Sequence, residues 1–303
     1  MDYHPKTGLH YFHVLRDYPA FLEVFASYQQ AATRIPWMTA VVYKDVPPAG
    51  SPLWDDPRIM FIFWTCLPTE APRGFRAKVA LHYTESTDKP EDKNPIQQGL
   101  YRTFLDDLQY CDLLFAHTPS AREVLRPFGK KVALAPVGCE PNVLGTPKWG
   151  SDKKYDIAFY GNRFGRRLWI LPALEKHFGD RMIHIEHFGA KRQEILEASR
   201  VTLYVLHSRD SSGATSRLWQ VASTSSAMVI ERSDVWPARP GLHYLEVDPA
   251  DEANLDRLIT SLESILKRPD LERVARQAHA HLWRYTVERC MQEFIVPASM
   301  EIL

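Results

Sequence analysis

Tyr155-Asp156-Ile157-Ala158-Phe159-Tyr160, then Gly161-Asn162-Arg163-Phe164-Gly165, then Arg166-Arg167-Leu168-Trp169, is the run whose reading decides the fold. It reads as a buried strand, a glycine-flanked exit loop and the opening of a basic helix. Glycine lets backbone N–H groups approach a phosphate. The helix start and its two guanidinium groups add positive potential and bidentate donors. A pyrophosphate fits that loop; a turn shaped only by backbone geometry is the alternative. About fifty residues on, Arg217-Leu218-Trp219-Gln220 opens a second helix and leads through the small run Ser223–Ser226 to the strand Ala227–Glu231.

Outward from this run the same alternation continues. Further strands are expected at Ile183–His187, Val201–His207 and Tyr244–Val247, with helices at 166–178, 191–199 and 216–224, and amphipathic helices at Leu255–Lys267 and Leu271–Arg284. In the N-terminal half, Leu9–Leu15, Thr39–Tyr43, Arg58–Trp64, Lys78–Tyr83, Leu113–His117 and Val132–Pro136 read as strands. The helix Asn94–Tyr110 opens on Asn-Pro, and Thr118-Pro119 opens another in the same way. Val143–Lys154, broken by Gly145, Pro147 and Gly150, is the expected linker. The expectation is α/β: two Rossmann-like domains, 1–147 and 152–285, facing each other across a cleft, and a C-terminal helix over 286–303 packing back on the first.

Composition sets wide bounds. The 303 residues are 45% hydrophobic and 24% charged, ordinary for a globular chain with room for two lobes. Lys plus Arg (37) balance Asp plus Glu (37), so no whole-surface attraction to nucleic acid is expected. No apolar run follows a basic segment at the start, and no stretch is long enough to span a membrane; a cytoplasmic protein is expected. Cys66, Cys111, Cys139 and Cys290 are too dispersed for a metal finger and are expected as reduced structural thiols.

Several motifs arrive in one order: Tyr155 to Asn162 with Arg167 downstream, Ile195-Leu196-Glu197-Ala198-Ser199-Arg200-Val201-Thr202-Leu203, Arg217 to Val221 with its small run, and Ala275 to Thr286. On these the chain resembles glycosyltransferases of the two-Rossmann (GT-B) fold, in particular the CgeB-like group and group 1 transferases. The resemblance covers most of the C-terminal half. It thins in the N-terminal half to Cys111–Thr118 and Pro136–Pro141, and residues 1–75 match nothing. It implies transfer of a sugar from a nucleoside diphosphate to a hydroxyl acceptor. The nucleotide sugar is then a co-substrate, and no cofactor is implied. Gly161, Asn162, Arg163, Arg167, Arg217, Gln220 and Ser225 are the donor-binding set on this reading. Gln220 stands where relatives carry a ribose-binding glutamate. Ser212, eight residues earlier, stands where retaining relatives carry a second acid. Asp210 is the nearest acid to that position. Metal is not expected, since no Asp-x-Asp occurs and side-chain cations face the diphosphate.

For the base that deprotonates an acceptor, His82 and Glu85 follow one strand to the crevice where open α/β sheets bind ligands, and Asp17 follows the first strand. His117 is a weaker candidate. Each residue also has a structural reading: Arg217 as an ion-pair partner, Leu218 and Trp219 as core, Gln220 as a cap, His82 as a packed strand end. A groove of Arg16, Arg34, Lys44, Arg73, Arg76 and Lys78 would suit a modified base in DNA as acceptor; otherwise the acceptor is a glycan or another hydroxyl. A non-catalytic nucleotide-sugar-binding protein is the remaining alternative, suggested by Ser212 and Gln220 standing in place of acids.

Overall fold

Met60-Phe61-Ile62-Phe63-Trp64 contains no polar residue and is buried throughout, the pattern of a parallel strand covered on both faces. The computed structural model describes residues 9–13, 22–35, 38–42, 47–64, 67, 71, 74–83, 95–206, 215–251 and 253–303. The chain divides into two units. Unit 1 comprises 1–140 with 286–303, and unit 2 comprises 141–285.

Unit 1 is built on six parallel strands, β1 (Leu9–His13), β2 (Met38–Val42), β3 (Met60–Trp64), β4 (Lys78–Tyr83), β5 (Leu113–Ala116) and β6 (Lys131–Leu134), in the order β2-β1-β3-β4-β5-β6. Its connecting helices are α1 (Leu22–Ala32), α2 (Pro95–Asp107) and α3 (Pro119–Leu125). α3 starts where its sequence dictates: Thr118 Oγ1 accepts from Ala121 N at 3.1 Å, and Pro119 takes the first helical position. The core is aromatic, with Trp54 against Phe61 and Phe63 and Tyr83 against Phe104 in one continuous cluster. A topological switch lies between β1 and β3.

Unit 2 opens with the single turn α4 (Pro141–Leu144), so the unit boundary falls just ahead of the expected linker. Then come β7 (Tyr155–Tyr160), α5 (Arg167–Phe178), β8 (Met182–Ile185), α6 (Gly189–Glu197), β9 (Ser199–Tyr204), α7 (Thr215–Ala222), β10 (Ala227–Glu231), β11 (Leu245–Val247), α8 (Leu255–Leu266) and α9 (Leu271–Leu282). The five strands are parallel in the order β11-β10-β9-β7-β8. α5 packs with α8, while α6 packs with α7 and α7 with α9. Right-handed crossovers put these two groups on opposite faces of the sheet. Helix α6 stops two residues earlier than periodicity predicts, because the Ala198 carbonyl accepts from Lys154 N (2.8 Å) and Tyr155 N (3.1 Å) and draws the chain into the sheet. The switch here lies between β7 and β9, so any ligand governed by sheet topology belongs beyond Tyr160 and Tyr204.

After unit 2 the chain returns to unit 1 as α10 (Val287–Cys290), one π-helical turn at Met291–Ile295, and α11 (Val296–Met300). An ionic knot holds the return. Arg34, at the end of α1, contacts both Glu140 and Glu288 at 2.5 Å, and buried Glu140 also accepts from Glu288 N at 3.3 Å. Because Arg34 is 38% exposed while Glu140 is 4%, the cost of losing the pair falls on the buried carboxylate. Arg34→Ala should lower unfolding stability by about 1–3 kcal/mol. Adding Glu140→Gln should recover much of that loss, a coupling that urea unfolding of the single and double variants will measure.

Candidate functional site

The unit 2 switch point is organised by one glycine. Gly161 follows the last residue of β7 at φ +135°, a backbone that L side chains rarely adopt. A Cβ there would stand 2.8 Å from Arg217 Nη2 and 3.2 Å from its Cζ. The absence of a side chain is therefore what lets the Arg217 guanidinium, from the first turn of α7, lie against the exit loop of β7. Rings hold it there, with Cζ 4.7 Å from the Tyr204 centroid and 5.3 Å from that of Tyr160. Arg217 Nη1 is buried and has no hydrogen-bond partner among the described residues.

The loop carbonyls are pinned inward. Arg163 Nε donates to His184 Nδ1 at 2.8 Å, which leaves the proton of a neutral ring on Nε2 to be given to the Gly161 carbonyl at 3.0 Å. Arg167 Nη1 donates to the Asn162 carbonyl at 3.2 Å and its Nε to that of Val205 at 2.8 Å. Since C=O and N–H oppose each other across a trans peptide, the amides of Asn162 and Arg163 point away from His184 and Arg167. The Arg217 guanidinium, with its Nη1 unpartnered among the described residues, lies against the same loop.

Arg167 itself lies behind that surface. It is buried between the Phe159, Phe164 and Tyr204 rings, and burial, with Arg217 next, brings it down to about 10, where it still carries its charge at neutral pH. Gln220 is buried too, one turn along α7 from Arg217, and accepts from the Tyr160 hydroxyl at 2.7 Å. Arg192 of α6 lies 5.5 Å from the other partner of this group, the Tyr160 ring. Arg163 is turned along α5 to a bidentate pair with Glu175 at 2.5 and 3.1 Å.

Of the expected donor residues, Gly161, Asn162 and Arg217 meet at the switch, with Arg167 and Gln220 behind them. Ser225 does not join them. It precedes β10, at the N-terminal edge of a parallel sheet whose C-terminal edge carries Gly161, and it bonds there with Glu197 and Lys153. Tyr160, Tyr204, His184 and Arg192 are the participants that motif reading missed. Only Tyr160 had a signal, as the last residue before the glycine. The other basic residue of the helix start, Arg166, forms a clamp with the fully buried Glu231 at 2.9 and 3.1 Å. Glu231 also accepts from the amides of Leu206 and Ala250. Trp219 is core, its Nε1 donating to Leu282 O at 3.2 Å.

In unit 1, His82 is fully buried among Trp64 and Phe115, with Nε2 donating to Ala135 O at 3.1 Å. Burial first, and His117 second, depress it to about 3. A ring with no solvent access whose proton is committed to a carbonyl does not fit the role of a base for an acceptor. His117 is likewise buried, its Nδ1 3.1 Å from Tyr83 O. Asp17, Glu85, Asp210 and Ser212 lie outside the described residues, as do Arg16, Lys44 and Arg73. Within the expected basic groove Arg34 is paired with two carboxylates and Lys78 is 3.4 Å from Asp112. Among the described residues no group of three or more His, Cys, Asp or Glu is placed to hold a metal ion. Among them, too, no helix is long and apolar enough to cross a membrane.

No protein-family model matches the sequence, and no curated protein does. Solved structures do match. Anabaena HepE in complex with UDP-glucose superposes with a TM-score of 0.65 at 11% identity, covering 97% of this chain and 100% of that one. Sucrose-phosphate synthase from Thermosynechococcus elongatus gives 0.59 at 12% over 80% and 73%. The pneumococcal O-GlcNAc transferase GtfA in complex with UDP and GlcNAc gives 0.57 at 12% over 80% and 57%. The fold is GT-B. At these identities the likeness is one of fold, and this chain spans little more than half the length of GtfA.

The buried histidine has a measurable signature. Its folded pKa, about 3, lies below the ordinary 6.5, so its contribution is complete above pH 6.5 and is lost as pH falls toward 3. Over that window stability should decline by about 1.4 kcal/mol per pH unit from this residue. His243, brought down to about 4 by burial, His281 and Arg239, adds to the decline in the same sense. His82→Gln, which keeps a donor for Ala135 O, should flatten the difference in urea midpoint between pH 7.5 and pH 5 relative to the parent; an unchanged difference would refute a buried neutral ring.

Proposed function

We propose that this protein is a glycosyltransferase that moves a hexosyl or pentosyl unit from a nucleoside-diphosphate sugar to a hydroxyl acceptor without a metal ion. The observation that carries the reading is the buried Arg217 Nη1, without a hydrogen-bond partner among the described residues and held against Gly161 at the topological switch of unit 2. A diphosphate over that loop would accept from Arg217 and from the amides of Asn162 and Arg163, while Arg167 holds the loop and adds its charge from behind. As the glycosidic bond to the leaving diphosphate breaks, these fixed cations and dipoles offset the charge that grows on it, the work a metal performs in other sites. Gln220 acts through Tyr160, whose ring carries the Arg217 guanidinium.

The order of motifs in unit 2 supports kinship with the CgeB-like and group 1 transferases. Buried free Cys111, Cys139 and Cys290 fit a reducing, cytoplasmic setting. With His82 inside the core, the acceptor base is assigned to Asp17 or Glu85, each after a strand of unit 1. Asp17→Asn or Glu85→Gln, whichever is the base, should cut turnover by about a hundredfold or more with donor affinity unchanged. A glycan or another hydroxyl compound is favoured as acceptor over a base in DNA, because Arg34 and Lys78 are already neutralised by carboxylates.

A non-catalytic nucleotide-sugar-binding protein is the second reading, favoured by the amide at Gln220. Hydrolysis of UDP-glucose in the absence of acceptor, followed by mass spectrometry, separates the two, since a binding protein releases no glucose. Arg217→Ala should weaken nucleoside-diphosphate binding by about 1.5–3 kcal/mol, the worth of charge-assisted hydrogen bonds. Turnover should persist in excess EDTA. Unchanged diphosphate affinity in folded Arg217→Ala removes this site from the mechanism.

A further inference from the structure

The last turns of α7 and α9 exchange donors. Trp219 Nε1 donates to the Leu282 carbonyl at 3.2 Å, and His279 Nδ1 donates to the Ala222 carbonyl at 2.8 Å, since a carbonyl can only accept. Ala222 ends α7 and Leu282 ends α9, and each donor ring stands three residues before the end of its own helix. Each helix thus closes the final carbonyl of the other, one of the four that a helix leaves without an internal partner. The His279 ring is packed edge-on to Trp149, with centroids 5.9 Å apart, and tilted against Trp283 at 4.8 Å, which orients its Nδ1.

The small run after α7 closes the rest of that end. Ser223 Oγ donates to the Gln220 carbonyl and Thr224 Oγ1 to that of Val221, both at 2.7 Å, and Ser223 N donates to the Trp219 carbonyl at 2.9 Å. Gln193 Nε2 of α6 also reaches the Gln220 carbonyl, at 3.1 Å. Every carbonyl from Trp219 to Ala222 therefore has a donor, and that of Ala222 takes its donor from α9. With eight residues, α7 is too short to be stable alone, so its place is set by what grips it. Arg217 stands five residues before Ala222, about 7.5 Å along the axis. Its guanidinium lies against Gly161 with no room there for a methyl group, so a displacement of α7 changes that contact directly. We infer that His279 is a positioning residue for the diphosphate: by holding Ala222 it sets the axial position of α7, and with it the place of Arg217 at the β7 loop. This rests on the donor-site reading given above and adds to it a residue that lies neither in the glycine loop nor in α7.

Two amides distinguish the ring nitrogens of His279. Asn carries its amide N–H where Nδ1 stands, whereas Gln carries it one methylene further out. Calorimetric titration of UDP into wild-type protein comes first, and absence of binding there overturns the donor-site reading and the role of His279 with it. Given binding, His279→Gln should weaken UDP by about threefold or more, and His279→Asn should retain wild-type affinity. In an Arg217→Ala background His279→Gln should cost nothing further, the non-additivity expected of a residue that acts through another. A residue that only stabilised the fold would lower the urea midpoint and leave the affinity of the folded protein intact. His279 is overturned as a positioning residue if His279→Gln binds UDP as wild type does, if His279→Asn loses as much as His279→Gln, or if the loss is undiminished in the Arg217→Ala background.

Discussion

A guanidinium pressed against a glycine is the contact from which the rest of the unit 2 site follows. Arg217 reaches the exit loop of β7 only because Gly161 has no Cβ and adopts a φ that an L side chain would strain. The rings of Tyr160 and Tyr204 then hold the cation by their faces, and its Nη1 has no acceptor among the described residues. Arg167, Gln220 and His184 support this arrangement from behind, by fixing respectively the loop carbonyl, the Tyr160 hydroxyl and the Gly161 carbonyl. Two arginines share each tyrosine, Arg192 and Arg217 at Tyr160 and Arg167 and Arg217 at Tyr204, and such cations would repel one another in water. Here they are separated by aromatic faces and by backbone acceptors, and a bound polyanion would relieve what repulsion is left.

The same sheet edge separates residues that bear chemistry from residues that hold the frame. Arg166 and Arg167 are adjacent in sequence, yet Arg166 serves the Glu231 clamp at the end of β10 while Arg167 serves the glycine loop. The difference comes from helix geometry, since consecutive residues point about 100° apart. Unit 1 shows the counterpart. His82 is the penultimate residue of β4, but its ring is fully buried, and Arg34 is committed to the knot with Glu140 and Glu288.

Most of the framework was legible. Buried parallel strands write near-continuous apolar runs, and all six strands of unit 1 and all five of unit 2 were expected close to where they lie, with errors of a few residues at their ends. Helix starts were readable from Thr118-Pro119 and from Asn94-Pro95. The site was legible in part. Gly161 and Arg217 carry local signals, a glycine after an apolar strand and a cation at a helix start. Ser225 misled, because a run of small residues reads alike at either edge of a sheet.

What the amino-acid sequence determined by itself is the alternation of strand and helix and the identity of the loop glycine, because apolar periodicity and positive φ are local demands on a chain. Which arginine keeps a donor without a partner among the described residues was decided only by tertiary structure. Arg163, Arg166, Arg167 and Arg217 carry the same charge and differ only in the partners that strand order brings to them: His184 and Glu175, Glu231, the Asn162 and Val205 carbonyls, and, for Arg217, two aromatic faces. The fate of His82 was settled in the same way, since a polar residue at a strand end is exposed or buried according to what the neighbouring strands and helices lay over it, and β3 and β5 lay Trp64 and Phe115.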